Sequence, residues 1–545
     1  MKLSTERQDL VRTSGTFLRG GRGCVLVGFA FLLLTFTATA GSTPLDDYPA
    51  GSRIDWQRFE PALFERARTG NRLLFLYFHG QWCSWCRGFQ NESLEQDAVV
   101  ETLRAGYIPV LIDLDRRRDV FARYGGRGLP FVVMLDARNE IRGRFTGHVA
   151  PDDLVRILTE GRRQISVTGR ELIASDPIDS VGAFLDMLDD VYDPGTRRLS
   201  GSAMFGTLSK RPQPWTLNFL LHQAAWRERM PGLLDQIIED LADPEEGGFF
   251  FFHDPNQADA NRALETSKRL DLNAAFLWLF ADAYHRLGED RYRAVVEHSL
   301  SYLKTHLWDP DEQRFYTSQH SDAFYYAQPR AVRAKLAPPV VDRTTYADAS
   351  GQIIAALVRA SEALDDPDLL EWARIALEGL DRHLRSGAGY RHALPLGGPS
   401  ELEGYLPAQI WPGIAWNMYR RASGLAPGDR QLALLRHVAS YYDVKLNAYR
   451  ERNNESLEPW VETRTQAALA WWLAALPRAD IEAADIDPEA VHAHLFIPSG
   501  ADPDDVALGF WALDSSLRHP LYQETKGADK KGQRTIHKTD ITDPD

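Results

Sequence analysis

The stretch Leu73-Leu74-Phe75-Leu76-Tyr77-Phe78-His79-Gly80-Gln81-Trp82-Cys83-Ser84-Trp85-Cys86 decides how the first half of the chain is read. Its uninterrupted apolar and aromatic run from Leu73 to Phe78 is the pattern of a buried strand, and the polar step at His79-Gly80-Gln81 ends it. A helix is expected to begin at the cysteines. At a helix start, unpaired amides and the helix dipole favour an anion, so Cys83 forms a thiolate at lower pH than a free cysteine does and is the candidate nucleophile. Cys86 follows one helical turn later on the same face, placed to attack a mixed disulfide on Cys83, and is the candidate resolving thiol. Arg87 adds positive charge beside the pair, and Trp82 and Trp85 flank it with apolar surface.

Outward from this stretch, Trp56, Phe59, Leu63 and Phe64 fall at helical spacing before the first strand. After the cysteines come a helix over 97–105, a second buried strand over 107–112, a helix over 118–124, and the turn Gly125-Gly126-Arg127-Gly128-Leu129-Pro130. A strand over 131–135, a tight turn, a strand over 141–145 and a closing helix over 152–162 complete the unit. Strand, helix, strand, helix, two hairpin strands and a helix, with C-x-x-C at the first strand-to-helix junction, resembles the thioredoxin fold over about 55–165. The resemblance implies a cis proline facing the cysteines at the start of the third strand, and Pro130 stands there. It also implies a buried acid six residues before the first cysteine, where this chain has Tyr77; His79 is then the candidate proton relay.

Beyond Asp176 strand signals fade and helical patterns recur, over 180–190, 215–228, 233–241, 269–287, 292–306, 347–364, 369–384, 404–423, 431–444 and 463–476. Short Gly- and aromatic-rich segments lie between them. Paired helices of this kind resemble the (α/α)6 toroid of the six-hairpin glycosidase and sugar 2-epimerase superfamily. The expected fold is therefore multidomain: an α/β thioredoxin-like domain over 50–168 and an all-α six-hairpin toroid over 176–520, with a disordered tail over 523–545.

Composition narrows the function. Hydrophobic residues at 44% and charged residues at 25% are ordinary for a soluble globular protein, and a net charge of −14 gives no basic field for a nucleic acid. Residues 1–40 read as a signal peptide or N-terminal anchor: a basic start, the uncharged run 24–40 and Ala38-Thr39-Ala40 before Gly41, with cleavage expected after Ala40. The body is then periplasmic or otherwise exported, anchored by 24–40 if the leader stays. Without the leader's Cys24, only Cys83 and Cys86 remain of the three cysteines. Two cysteines with no second pair or ordered histidine pair exclude a disulfide-stapled scaffold and a structural zinc site, so no metal is expected, and the Cys83–Cys86 pair needs no further cofactor.

The order of local motifs over nearly the whole mature chain resembles the family of spermatogenesis-associated protein 20. It is carried by Asp189-Asp190-Val191-Tyr192-Asp193, Pro212-Gln213-Pro214-Trp215, Gly247-Gly248-Phe249-Phe250, Phe315-Tyr316-Thr317-Ser318-Gln319-His320-Ser321-Asp322 and Ala349-Ser350-Gly351-Gln352. The family usually has a histidine beside each cysteine, where this chain has Ser84 and Arg87. Three readings follow. The first is an exported thiol-disulfide oxidoreductase acting on protein thiols or disulfides with an unidentified electron donor or acceptor, its toroid recognising a partner or ligand. The second is a carbohydrate-active or carbohydrate-binding toroid, epimerase- or glycosidase-like, for which Glu265, Asp271, Tyr316, Asp322 and Trp411 are the candidate ligand residues. The third is a non-enzymatic scaffold. The segments 247–254, 265–273, 315–326 and 401–411 are expected to share one mouth of the toroid and one pocket.

Overall fold

The computed structural model describes residues 51–162, 180–199, 213–253, 263–425, 428–453, 459–492, 495 and 503–513. The expected leader, cleavage site and C-terminal tail lie outside them.

Helix α1 (Ala62–Gly70) leads into β1 (Leu73–His79), all but one of whose residues are buried. There follow α2 (Ser84–Phe89), α3 (Asp97–Gly106), β2 (Tyr107–Asp113), α4 (Arg118–Arg123), β3 (Phe131–Leu135), β4 (Ile141–Thr146) and α5 (Pro151–Gly161). The sheet order is β2-β1-β3-β4, with β1 parallel to β2, and β3 antiparallel to both β1 and β4. This is the thioredoxin-like order expected from the strand runs, and the Leu129–Pro130 peptide is cis. Trp56 and Phe59 precede α1; they pack from an extended lead-in whose Gln57 bridges to Val110 beside β2.

The second region is a ring of six hairpins. Inner helices α7 (Pro214–Leu221), α9 (Leu270–Leu287), α11 (Ala347–Leu364), α13 (Pro407–Ala422), α15 (Thr463–Ala474) and α18 (Pro503–Leu513) each pack on the next, and α18 closes onto α7. Outside them lie α6 (Val181–Val191), α8 (Met230–Leu241), α10 (Asp290–Tyr302), α12 (Pro367–Leu384), α14 (Asp429–Ala439), and the short α16 (Arg478–Ala483) and α17 (Pro488–His492). Inner helices are buried nearly all round, whereas outer ones such as α12 bury a single stripe. Close approach of the inner helices demands small residues: a Cβ on Gly351 of α11 would stand 2.4 Å from the Trp411 carbonyl carbon of α13.

Trp215, Trp278, Trp411 and Trp471 reach inward from α7, α9, α13 and α15. Trp215 and Trp411 come from opposite sides of the ring with centroids 5.9 Å apart, and so do Trp278 and Trp471 at 5.4 Å. The lumen is thus filled with indole.

Two helix expectations are corrected. The helix read over 215–228 ends at Leu221, because the chain turns there from the inner to the outer layer and Trp226 sits on a 3-10 turn. The helix read to 444 ends at Ala439, where Tyr442-Asp443 pairs with Ala448-Tyr449. The last hairpin, α16 to α18, lies beyond the helices read from the sequence. Similar small hairpins join outer to inner helices at Tyr192-Asp193, Trp308-Asp309 and Tyr442-Asp443. In each, the Asp carboxylate accepts a turn amide two residues on, at 2.8, 3.1 and 2.9 Å.

Candidate functional site

The inner helices begin at one end of the ring, and that end is covered by the thioredoxin-like domain. Cys83 is the N-cap of α2 and forms a disulfide with Cys86, with Cα atoms 5.3 Å apart. Its Sγ accepts the Cys86 amide at 3.1 Å, which is the helix-start stabilisation expected for a thiolate at this position. Tyr77, standing where the thioredoxin pattern has an acid, donates its hydroxyl to the Cys86 carbonyl at 3.1 Å. His79 stacks on Tyr77 and is buried; desolvation and the Arg116 charge push its pKa down to about 4, so it is a neutral imidazole near pH 7.

Both cysteines are only 2% exposed, because residues on either side of them meet the toroid. The Trp82 ring packs 4.7 Å from that of Phe251, and its carbonyl accepts the Ser321 amide at 3.4 Å. Ser84 donates to the Glu265 carboxylate. Arg87 donates to the Ser321 carbonyl at 2.9 Å. Behind this contact, Arg269 of the toroid lies over the Trp82 ring at 4.6 Å and pairs with Asp115 at 3.0 Å, both side chains 7% exposed. Asp115 also accepts the Trp82 indole N–H at 3.0 Å. Arg118 pairs with Asp271 at 3.2 Å, Arg116 with Glu401 at 2.7 Å, and His392 donates to the Asp115 carbonyl at 3.0 Å.

The candidate residues of the toroid therefore have assigned partners. Glu265 is buried against Ser84; burial pushes its carboxyl upward, opposed by hydrogen bonds from Ser84 and Ser321 and by the Arg87 charge. Asp271, expected as a ligand group, lies between Arg269 and Arg118, which hold its pKa far below the usual carboxylate range against the cost of burial. Asp322 caps the short helix Ala323–Tyr326 through the Tyr325 amide. Tyr316 donates to Asp309 at 2.6 Å within its own hairpin. Trp411 is one of the four indoles that fill the ring. Phe251, Glu265, Ser321 and Glu401, one from each of the four rim segments, all meet the thioredoxin-like domain, which therefore covers the end where a shared pocket is expected; Asp254 lies outside the described residues. Arg269 and Asp115 were not singled out from the sequence, since a buried arginine on a partner domain has no local signature.

A family profile named Thioredox_DsbH, described as a protein of unknown function, DUF255, matches residues 42–127. Spermatogenesis-associated protein 20 of Mus musculus is 26% identical over 207 residues, covering 31% of this chain and 25% of that one. The chain is similar to spermatogenesis-associated protein 20. An uncharacterised protein of Caenorhabditis elegans is 25% identical over 231 residues, 36% of this chain and 31% of its own length. Cellobiose 2-epimerase of Bacteroides fragilis is 27% identical over 177 residues, 32% of this chain and 41% of that enzyme. The chain thus spans less than half the length of each of these relatives. The matches accord with the observed architecture, a thioredoxin-like domain followed by a helical toroid that is similar in part to cellobiose 2-epimerase.

Proposed function

We propose that the protein is an exported thiol-disulfide oxidoreductase whose Cys83–Cys86 pair exchanges with protein thiols or disulfides, and whose toroid controls access to that pair. The observation that carries this reading is the placement of Cys83 as the N-cap of α2, its sulfur accepting the Cys86 amide, at the face where the toroid is seated. The electron donor or acceptor is unidentified.

In the direction that reduces the substrate and oxidises the protein, the Cys83 thiolate attacks one sulfur of a substrate disulfide, and the other sulfur leaves as a thiolate. The Cys86 thiolate then attacks Cys83, closing the intramolecular disulfide and releasing the second substrate thiolate. Two electrons pass from the protein to the substrate, and each released thiolate takes a proton from water. Pro130 at the start of β3 and Trp82 before the cysteines are the substrate-facing groups of this reading. With both cysteines 2% exposed, a protein substrate engages when the contact through Ser84, Arg87 and Arg269 opens.

The sugar-chemistry alternative gains no such support, because Trp411 fills the lumen and Asp271 is ion-paired. Reaction of the reduced protein with glutathione disulfide tests the proposal. Cys86→Ser is expected to accumulate glutathione on Cys83, and Cys83→Ser to accumulate little on Cys86; equal accumulation on either cysteine would contradict the assignment.

A further inference from the structure

The end of the ring away from the thioredoxin-like domain holds a cavity of about 560 Å³. It opens where α7 and α9 finish, and α9, with 18 residues at about 1.5 Å each, puts it roughly 25 Å from the Asp271 end. Its walls carry Arg227, Arg286, Arg359, His222 and His285, with no carboxylate among the lining residues, and Leu221, Met230 and Leu287 supply apolar surface.

The cations are not equivalent. Arg359 is 3% exposed and belongs to a buried network: its Nε donates to Asp282 and its Nη1 to Glu362 at 2.9 Å, while Asp282 also accepts Asn218 at 2.9 Å. Asp282 and Glu362, neither of them among the lining residues, are thus paired with Arg359. Arg286 donates instead to Nδ1 of His222 at 2.9 Å, which requires that nitrogen to be unprotonated, and among the described residues neither Arg286 nor Arg227 has a carboxylate within ion-pairing distance. Desolvation and the neighbouring Arg359 and Arg227 charges lower the Arg286 pKa against the pull of Asp282, as expected of a guanidinium set among other cations. Guanidinium groups spaced around a concave, partly apolar wall are suited to oxyanions, each offering a planar fork of N–H donors.

We propose that this cavity is a binding site for a small anionic metabolite bearing a phosphate or carboxylate group, with Arg286 and Arg227 as the oxyanion contacts and the Leu221–Met230–Leu287 wall receiving the rest of the molecule. Nothing in this inference depends on the redox chemistry at Cys83.

Inorganic phosphate and citrate, each titrated against sodium chloride at matched ionic strength, are the probes. Isothermal calorimetry and thermal unfolding of the full chain supply the readouts. The expected result is saturable binding of at least one anion, the stronger one identifying the phosphate or carboxylate preference, with affinity at least tenfold weaker in the Arg227→Gln/Arg286→Gln double variant. Both replacements are at exposed positions, and the variant's far-UV circular dichroism and Cys83 reactivity are expected to match the parent's. Absence of saturable binding of either anion, or undiminished binding in a folded double variant, would overturn the proposal.

Discussion

If the toroid controls access to Cys83, then loosening its seat accelerates chemistry at that sulfur. Arg269 is the most informative perturbation. It pairs with Asp115 across the contact at 3.0 Å, with Asp271 at 2.9 Å on its own side, and lies over the Trp82 indole. Arg269→Gln keeps much of the length and removes the charge, stranding a carboxylate that is 7% exposed. Breaking a buried pair from one side costs about 3–5 kcal/mol. The lower end applies, because Asp271 keeps Arg118 and Asp115 keeps the Trp82 N–H. At about 1.4 kcal/mol per decade, 3 kcal/mol raises the open population about 150-fold. The assay is alkylation of the fully reduced protein by iodoacetamide at pH 7, with Cys83 modification followed by peptide mass spectrometry. Wild type is expected to react slowly and Arg269→Gln faster by up to that factor, limited by the rate of a freely accessible thiolate. An unchanged rate in a variant that keeps its far-UV circular dichroism would refute the reasoning.

Other expectations are independent of that contact. His79 has a folded pKa of about 4 against about 6.5 when exposed, so between these values the unfolded chain holds a proton that the native one does not. Its contribution is full above pH 6.5 and is lost as pH falls toward 4, by up to about 1.4 kcal/mol per pH unit. Denaturant unfolding at pH 7 and 5 should therefore show a smaller drop in His79→Gln than in wild type, and an equal drop would exclude this proton. Trp411→Ala should cost about 3–5 kcal/mol in unfolding experiments, as loss of a core indole does, and leave phosphate binding at the far cavity unchanged. A stability change under about 1 kcal/mol would indicate a side chain outside the core. For export, the mature N-terminus measured by mass spectrometry should be Gly41; an intact Met1 in the cytoplasmic fraction would count against it.

The thioredoxin-like order was legible because its strands are short saturated apolar runs such as Leu73–His79 and Phe131–Leu135, which have no competing reading between Gly-rich turns. The long inner helices were legible for a related reason: Ala347–Leu364 holds an apolar, alanine-rich pattern over 18 residues, interrupted by Gly351 alone, and the structure returns the bounds read from the sequence. What could not be read is the meeting of the two regions. Ser84 and Glu265 are 181 residues apart, and neither carries a mark that sets it apart from an exposed serine or a solvated acid. Asp271 and Asp322 look alike as rim carboxylates, yet one is held by two arginines and the other caps a helix. Trp411 shows the same ambiguity, since an aromatic on an inner face is suited equally to a pocket wall and to a filled lumen, and only the indoles opposite it decide.

The claim that Cys83 and Cys86 form a working redox couple is tested most directly by their equilibrium reduction potential. Full-length mature protein is equilibrated in thiol-disulfide buffers of known potential, and the fraction oxidised is counted by thiol modification and mass spectrometry. Stabilisation of the Cys83 thiolate at the start of α2 favours the reduced form, so the account predicts a potential above about −300 mV, in the range of catalytic pairs. A value at or below about −300 mV, typical of structural disulfides, would contradict it.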